Sequence, residues 1–195
     1  MFFFKKINLK INTKFYKQSF QNSLMERTLV LIKPDGVKRN LIGKIIMRFE
    51  DAGLKVIGMK MIWADENFAR QHYREELDER YKDVEKKYGR NVRNELVKYL
   101  KEGPVIAIVL EGVDAINVTR KITGTTYPNE SPPGTIRGDF AHISKDFANS
   151  KNLMVRNLIH ASANKEDAQI EIPIWFNENE LHSYKTIHDI ICLEE

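Results

Sequence analysis

The sequence has almost no cysteine and no long apolar run, and both absences restrict what the protein can be. Among its 195 residues Cys192 is the single cysteine, so the chain forms neither an internal disulfide nor a cysteine-based zinc framework. No run of about 18 apolar residues occurs, so we expect no membrane-spanning helix and no membrane partner. A lone cysteine suits a reducing compartment, and we predict a cytoplasmic protein.

Several motifs for phosphate and metal chemistry are also missing. A phosphate-binding G-x-x-x-x-G-K-[ST] loop is absent, because Gly43-Lys44 lacks both the upstream glycine and the hydroxyl residue. The sequence also lacks the Gly-rich loop, HRD and DFG set of protein kinases. No H-E-x-x-H pattern is present, and we predict no metal held by protein ligands alone. If this protein transfers phosphate, it must use another route.

Acidic residues are absent from residues 1–25, which contain five lysines. The net charge of +4 and the pI near 9.0 would by themselves suggest nucleic-acid binding. Removing those lysines, however, leaves 26 basic and 27 acidic side chains. We therefore predict a basic N-terminal extension, residues 1–25, and one domain, residues 26–195, and expect nucleic acid to be an improbable partner of that domain.

Two interpretations of the extension stay open. Its lack of acids, together with Ser19 and Ser23, is typical of a mitochondrial or plastid transit peptide, although such peptides usually contain arginine and this segment has none. Alternatively, translation begins at Met25. The protein would be mitochondrial or plastidic in the first case and cytoplasmic in the second, and in both cases we expect little order.

Hydrophobic periodicity predicts an α+β domain. The predicted strands are 28–33, 54–63, 105–110 and 155–159. The first helix is expected over 41–52, with Asn40 as its cap. Further helices are expected from residue 65 or 66 onward, over 114–122 and from Asn164 onward. A long loop is expected over 124–138. This order matches the split βαβ, ferredoxin-like arrangement, a four-stranded antiparallel sheet with helices packed on it.

His160 has the most suggestive surroundings of the five histidines. It follows the predicted strand 155–159, and the small residues Ala161 and Ser162 leave space beside it. Glu171 lies about two turns into the next helix. A carboxylate that holds one ring nitrogen fixes the tautomer and leaves the other nitrogen free as a nucleophile.

Three cations lie at the ends of predicted elements or in loops, each beside glycine or proline: Lys33, Arg120 and Arg137. A single cation of this kind is usually solvated on the surface. Phosphoryl transfer, however, depends mainly on positioning and on neutralising charge, so it needs several converging cations near a nucleophile. Together with His160 the three cations form such a set.

Four segments resemble the nucleoside diphosphate kinase family: LVLIKPDGVKRNLIGKII, LVKYLKEGPVIAIVLEG, PGTIRGDF and RNLIHAS. They occur in order between about Glu26 and Leu181. The resemblance implies a ping-pong enzyme in which a histidine takes the γ-phosphoryl group of a nucleoside triphosphate and passes it to a nucleoside diphosphate. It also implies Mg²⁺ bound with the nucleotide, and a homo-oligomer, commonly a hexamer, that uses the loop 120–133.

The same resemblance assigns roles to individual residues. It implies that His160 carries the phosphate on Nδ1, that Glu171 holds the other ring nitrogen, and that Ser162 supports this pair. Lys33 would reach the phosphates and the ribose 3′-hydroxyl. The remaining matches are Asn157 for the sugar hydroxyls, Arg120, Thr126 and Arg137 for the β- and γ-phosphates, and Tyr73 for the phosphate site near the histidine.

The sequence departs from the family pattern at two places. Ala161-Ser162-Ala163 replaces the usual Gly-Ser-Asp, so an acid is missing at position 163. The segment 78–95 is longer than usual and contains no phenylalanine to stack on the base. Counting forward from Tyr73 places Tyr81 there, whereas counting back from Leu96 places Val92 there. The alternative function is a catalytically silent nucleotide-binding or regulatory protein on the same fold.

Overall fold

A computed structural model describes residues 25–193 of the chain. The four strands are β1 (Met25–Ile32), β2 (Lys55–Ile62), β3 (Val105–Val113) and β4 (Ile159–Ala161). Strand β1 thus begins at the last residue of the predicted extension. The rest of that extension, with its predicted disorder or targeting role, lies outside the described residues.

The strands form one antiparallel sheet in the order β2-β3-β1-β4. The central strands β1 and β3 pair along their whole shared length, from Met25 opposite Val113 to Ile32 opposite Ile106. Strand β4 pairs with the end of β1, and Leu31 lies directly opposite His160. This topology confirms the predicted ferredoxin-like α+β fold.

Ten helices lie among the described residues. They are α1 (Pro34–Lys38), α2 (Ile42–Glu50), α3 (Glu66–His72), α4 (Glu76–Arg80), α5 (Lys82–Tyr88), α6 (Val92–Leu100), α7 (Ala115–Thr123), α8 (Ile136–Phe140), α9 (Lys145–Ser150) and α10 (Lys165–Trp175). Short 3₁₀ turns cover Pro128–Glu130 and Glu178–Glu180, and a π turn covers Asp189–Leu193. Within the described part of the chain, no helix has the length and apolar character needed to cross a bilayer.

Both faces of the sheet are covered by helices, which explains why its central strands are apolar without alternation. Val30 and Ile32 pack on one side with residues of α2 and α7. Leu29 and Leu31 pack on the other side with residues of α3, α6 and α10, among them Trp175. All four of these β1 residues are completely buried.

Side-chain caps fix two helix starts that the sequence predicts. Asp65 accepts a hydrogen bond from the backbone N–H of Phe68 at 2.8 Å, which starts α3. Asn164 accepts one from the N–H of Asp167 at 2.7 Å, which starts α10. The position of Glu171 relative to β4 therefore follows from a local signal in the sequence.

Some predicted boundaries are wrong. The last strand is Ile159–Ala161 instead of 155–159, so His160 lies within it and not after it. The shift arises because Leu158 takes a left-handed backbone conformation, with φ of 67°, which prevents regular extension before Ile159. Asn40 does not cap α2, since it too is left-handed, with φ of 56°, in the turn between α1 and α2.

Two other segments differ from the prediction: the long loop contains helical turns, and the helix expected from residue 65 or 66 onward is interrupted. The long loop 124–138 includes the 3₁₀ turn and the start of α8, where the Thr135 hydroxyl accepts from the N–H of Gly138. The charged stretch after α3 is divided into short helices, because Tyr73 ends α3 and Gly89, with φ of 64°, ends α5. Neither region has an apolar period long enough to reveal these turns in advance.

Candidate active site

His160 is held from behind by a carboxylate and a hydroxyl. Its Nε2 lies 2.9 Å from Glu171 Oε2, and the Ser162 hydroxyl donates to the same oxygen at 2.6 Å. Ser162 is fixed in turn by β1, because the N–H of Leu29 donates to its Oγ at 3.3 Å. Among the described residues, no hydrogen bond reaches Nδ1 of His160. The ring therefore has one nitrogen bound by the protein and the other available.

The Glu171 carboxyl is ionised despite its burial. Burial alone would raise its pKa, but the charge of the His160 ring and the hydrogen bonds from His160 and Ser162 outweigh burial and hold the pKa at about 2. A carboxylate in this position favours the tautomer of His160 that carries its proton on Nε2. That tautomer leaves the lone pair on Nδ1.

A second histidine, His72, lies against the His160 ring. The two ring centroids are 4.7 Å apart, and the ring planes are nearly perpendicular at 89°. Burial first, and then the charge of His160, lower the pKa of His72 to about 3, so its ring is neutral. Trp175 Nε1 donates to its Nδ1 at 3.3 Å, which assigns the proton to Nε2. Sequence reasoning did not single out His72.

Lys33 lies at the end of β1 and is almost completely buried. Its ammonium donates to Asn157 Oδ1 at 2.8 Å and lies 5.2 Å from the centre of the Tyr99 ring. Burial, followed by the charge of Arg137, lowers the pKa of Lys33 to about 7, against the opposing effect of Asp35. Within residues 25–193 no carboxylate forms an ion pair with Lys33, and an anion entering the site would supply that partner.

Arg137 ties the loop after α7 to strand β4. Its guanidinium donates to the carbonyls of Thr125 at 2.8 Å, Asn157 at 3.2 Å and Ile159 at 2.6 Å. Burial and the nearby charge of Arg120 lower the pKa of Arg137 to about 10, so it stays protonated at neutral pH. Asn157 completes this connection by donating to the Thr126 carbonyl at 3.0 Å.

A cavity of about 350 Å³ opens in front of His160. It brings together nine of the eleven predicted site residues: Lys33, Tyr73, Tyr81, Arg120, Thr126, Arg137, Asn157, His160 and Glu171. Ser162 is completely buried behind Glu171 and does not line the cavity. The Tyr73 hydroxyl is buried without a hydrogen-bond partner among the described residues, and a polar ligand could satisfy it.

Val92 lines a second, smaller cavity of about 120 Å³ that adjoins the first. Tyr81 and Leu96 line both cavities. The two candidates for the base platform therefore lie on one continuous surface, and Leu96, which sequence reasoning used only as a counting marker, belongs to it. Its apolar side chain gives no chemical signal that would separate it from a core residue.

Sequence reasoning also missed charged residues of the larger cavity. Arg74, Arg80 and Asp167 all line it. Arg74 directly follows the predicted Tyr73, which is the one local signal for it, whereas Arg80 and Asp167 belong to charged stretches of the sequence. Only the folded chain distinguishes charged residues that face the cavity from those that face solvent.

The cavity does not present a free set of metal ligands. Ligand atoms of His72, His160 and Glu171 come within 4.8 Å of one another. Glu171 is already hydrogen-bonded to His160 and Ser162, and His72 accepts from Trp175 at Nδ1 and carries its proton on the unpartnered Nε2. Of the two histidines, only His160 offers a ring lone pair without a hydrogen bond from the described residues, on Nδ1. A cation that enters the cavity would find its oxygen ligands on the bound molecule rather than on these side chains.

Comparison with known proteins gives consistent matches. The family model for nucleoside diphosphate kinase matches residues 26–181. The chain is 46% identical to the nucleoside diphosphate kinase of Borreliella burgdorferi over 162 residues, which are 83% of this chain and 93% of the relative.

Two solved structures are similar over most of the fold. One is described as a transition state mimic of nucleoside-diphosphate kinase from Borrelia burgdorferi with bound vanadate and ADP. It has a TM-score of 0.79 and 43% identity, and the match covers 88% of this chain and 99% of that one. The other is an NDP kinase from Pyrobaculum aerophilum, with a TM-score of 0.73, 35% identity and coverage of 82% and 100%.

Proposed function

Because this chain belongs to the nucleoside diphosphate kinase family, we propose that it moves the γ-phosphoryl group of a nucleoside triphosphate to a nucleoside diphosphate through Nδ1 of His160. The single observation that supports this route best is the orientation of the ring. Glu171 binds Nε2 at 2.9 Å, and the ring lines the cavity with Nδ1 unengaged by the described residues. The solved relative with vanadate and ADP supports a nucleotide and a phosphoryl-like anion in such a site.

The proposed reaction has two mirror-image halves. The lone pair of Nδ1 attacks the γ-phosphorus, and the bond from that phosphorus to the β–γ bridging oxygen breaks. The nucleoside diphosphate leaves with that electron pair, and the phosphoryl group stays on His160. The proton on Nε2 remains shared with Glu171, whose negative charge offsets the positive charge that develops on the ring. A second diphosphate then reverses these steps.

The residues around the cavity have complementary roles in this proposal. Lys33, Arg120 and Arg137 neutralise the phosphates, and Thr126 supplies a hydroxyl to them. Asn157, which already positions Lys33, contacts the sugar hydroxyls. The unpaired Tyr73 hydroxyl donates to the phosphate beside the histidine. Ser162 acts through Glu171, because it is buried behind that carboxylate.

The base is proposed to lie on the surface shared by Tyr81, Val92 and Leu96. These side chains line the smaller cavity, which adjoins the phosphate region through Lys33 and Asn157. Stacking and apolar contact do not distinguish strongly between bases. We therefore infer weak selectivity for the base and stronger selectivity for the phosphate chain.

Mg²⁺ is proposed to enter with the nucleotide. The carboxylates of the larger cavity are Glu76, Asp167 and Glu171, and Glu171 is occupied by His160 and Ser162. The cavity therefore fits a metal whose ligands are mainly phosphate oxygens and water, which is the usual way for proteins to handle Mg²⁺. When bound, the ion neutralises charge on the phosphates, and we assign no side chain as its ligand.

A homo-oligomer is also proposed, with a hexamer as the expected form. Strand β2 is an edge of the sheet, and its outward residues Met59 and Met61 are 56% and 58% exposed. Trp63, directly after the strand, is 69% exposed. Large apolar side chains in a row on an open strand edge are typical of a surface that another copy covers.

The proposed phosphohistidine is tested by incubation with ATP labelled at the γ-phosphate. We expect the wild type to take up a label that is stable in alkali and lost in acid, and to release it to added GDP. His160→Ala should remove the label, whereas His142→Ala, at an exposed histidine outside the cavity, should keep it. A wild type that binds ATP and takes up no label would instead support the catalytically silent alternative.

A further inference from the structure

Arg74 lies on the wall of the same cavity as His160 but has no role in the proposal above. It follows Tyr73 in the bend between α3 and α4, and it lines the cavity together with His160 and Ala163. Its charge also contributes to the lowered pKa of His72, whose ring contacts His160. A permanent positive charge is therefore present close to the proposed nucleophile.

The carboxylate partners of Arg74 are far from ideal. Its guanidinium lies 3.5 Å from Asp167 Oδ1 and 4.0 Å from Glu76 Oε1, at the outer limit for an ion pair. The Arg74 side chain is 35% exposed. Long, partly hydrated pairs of this kind contribute little free energy, and a better anion replaces such a partner at small cost. Arg137, in contrast, is tied down by several carbonyls.

The surroundings leave room for an anion beside Arg74. Position 163 contributes only a methyl group to the cavity wall. Of the cavity's carboxylates, Glu171 is held by His160 and Ser162, so Asp167 and Glu76 are the two that face Arg74. A planar guanidinium can donate two parallel hydrogen bonds to a phosphate. The contact of Arg74 to Asp167, at 3.5 Å, is longer than such a bond.

We propose that Arg74 is a further nucleotide-binding residue, which exchanges Asp167 for the γ-phosphate of a bound nucleoside triphosphate. This inference rests on the proposed function, because the γ-phosphorus must approach Nδ1 of His160. In the free protein Asp167 holds Arg74 beside the cavity, and it competes with the incoming phosphate. A nucleoside diphosphate in the unphosphorylated protein has no γ-phosphate and does not engage Arg74.

The test compares dissociation constants for a non-hydrolysable ATP analogue and for ADP, both with Mg²⁺. Arg74→Leu should weaken binding of the ATP analogue about tenfold or more, the loss expected for a charge-assisted hydrogen bond, and should change ADP binding by less than about threefold. Asp167→Asn should have the opposite effect and tighten binding of the analogue. In the double variant, Asp167→Asn should no longer tighten binding of the analogue, because Asp167 competes with the phosphate only for Arg74.

A matched control separates this contact from a general loss of charge. Arg70→Leu removes an arginine of α3 that pairs with Glu66 and does not line the cavity, and it should leave both constants unchanged. An equal weakening by Arg70→Leu would overturn the proposal, as would unchanged binding in Arg74→Leu. The proposal also fails if Asp167→Asn weakens binding as much as Arg74→Leu does, because the pair would then only support the cavity wall.

Failure of this inference and failure of the proposed function can be told apart. The first is read from nucleotide binding in the Arg74 and Asp167 variants. The second is read from the γ-phosphate label on His160 in the wild type. A labelled wild type with an unaffected Arg74→Leu variant would remove the role of Arg74 and leave the phosphotransfer mechanism in place.

Discussion

Lys33 is a residue whose charge depends strongly on its surroundings. Its burial lowers the pKa to about 7, and the charge of Arg137 adds to this effect. The β-phosphate of a bound ADP would place a negative charge beside the ammonium and raise that pKa again. Protonation of Lys33 and nucleotide binding are therefore linked, and each favours the other.

The linkage predicts how ADP affinity changes with pH. Above pH 7 the free protein loses the Lys33 proton, while the phosphates of ADP are already ionised. The dissociation constant of the wild type should rise on the order of tenfold between pH 7 and pH 9, since each unit of pKa shift corresponds to a factor of ten. Lys33→Met should bind more weakly at pH 6.5 and show a nearly flat profile, as measured by calorimetry.

The same residue predicts a change in stability with the opposite dependence on pH. An unfolded lysine, with a pKa of about 10.4, keeps its proton between pH 7 and 10, while folded Lys33 releases it. The unfolded state binds more protons in this window, so the free energy of unfolding contributed by Lys33 rises with pH. Relative to Lys33→Met, the wild type should thus gain stability from pH 7 to 10 in urea titrations, and a constant difference would contradict the burial effect.

For single residues, the sequence indicates a candidate site residue where that residue lies in a short motif. Lys33, Arg137 and His160 could be singled out because glycine, proline or small neighbours accompany them, whereas Asn157 was assigned only through the resemblance to the family. His72 and Arg74 could not be assigned, since their contacts are with Trp175 and Asp167, about 100 residues away. Such contacts depend on the packing of α3 against α10, which no local pattern encodes.

Helix α8 shows how one element depends on close packing with its loop. A β-carbon added to Gly138 would lie 2.2 Å from the carbonyl oxygen of Pro132. That contact is with backbone, which has little freedom to move. The preceding residue, Arg137, connects this segment to β4, so a shift of α8 reaches the proposed phosphate site.

Gly138→Ala should therefore reduce both stability and nucleotide binding. We expect a loss of roughly 1–3 kcal/mol or more in the free energy of unfolding, as for other overpacked sites, and a weaker dissociation constant for ADP. Gly43→Ala is the matched control, because nothing lies within 4 Å of its added β-carbon in α2. That variant should be stabilised by roughly 0.5–1 kcal/mol. Equal melting temperatures for the two variants would contradict this account.

The sequence predicts elements well where burial is continuous or a cap is present. Strands β1 and β3, and the starts of α3 and α10, agree with the structure for these reasons, and β2 agrees because its apolar residues alternate. Strand β4 was misplaced because Val155, Leu158 and Ile159 suggested a strand over 155–159, yet the left-handed Leu158 interrupts it. Two tertiary hydrogen bonds hold the backbone of Leu158 in this conformation. One runs from the N–H of Lys33 to the Leu158 carbonyl, and the other runs from the N–H of Leu158 to the Asp35 carboxylate.

For the whole molecule, the exposed edge of β2 makes the assembly testable. Trp63→Glu combined with Met61→Lys would place charges on the surface that a second copy is proposed to cover, which is unfavourable without partners. The molar mass measured by light scattering should fall from that of the wild type. Phe147→Lys, on α9, changes an exposed apolar residue away from β2 and should leave the mass unchanged. An unaltered mass in the β2 variant would place the interface elsewhere.

For the whole chain, the net charge alone was misleading, whereas the positions of the charged residues along the sequence were informative. The pI near 9.0 suggests a nucleic-acid partner, but all five excess lysines lie in residues 1–25. The family and fold could be predicted because four characteristic segments occur in order along one domain. The resemblance pointed to the loop 120–133 as a subunit contact, and it did not suggest the proposed surface on β2, because Met59 and Met61 belong to an alternating strand pattern that a covered face and a free face share.

The pairing of β4 with β1 has a consequence for how activity responds to heat. Leu31, two residues before Lys33, is the direct ladder partner of His160, and β1 lies in the interior of the sheet. Lys33 and His160 are thus connected through one strand pair, and we expect them to separate only when β4 leaves β1. The exposed helices α4 and α5 can open separately at lower cost. Warming then loosens the wall that admits the nucleotide well before it separates the lysine from the histidine.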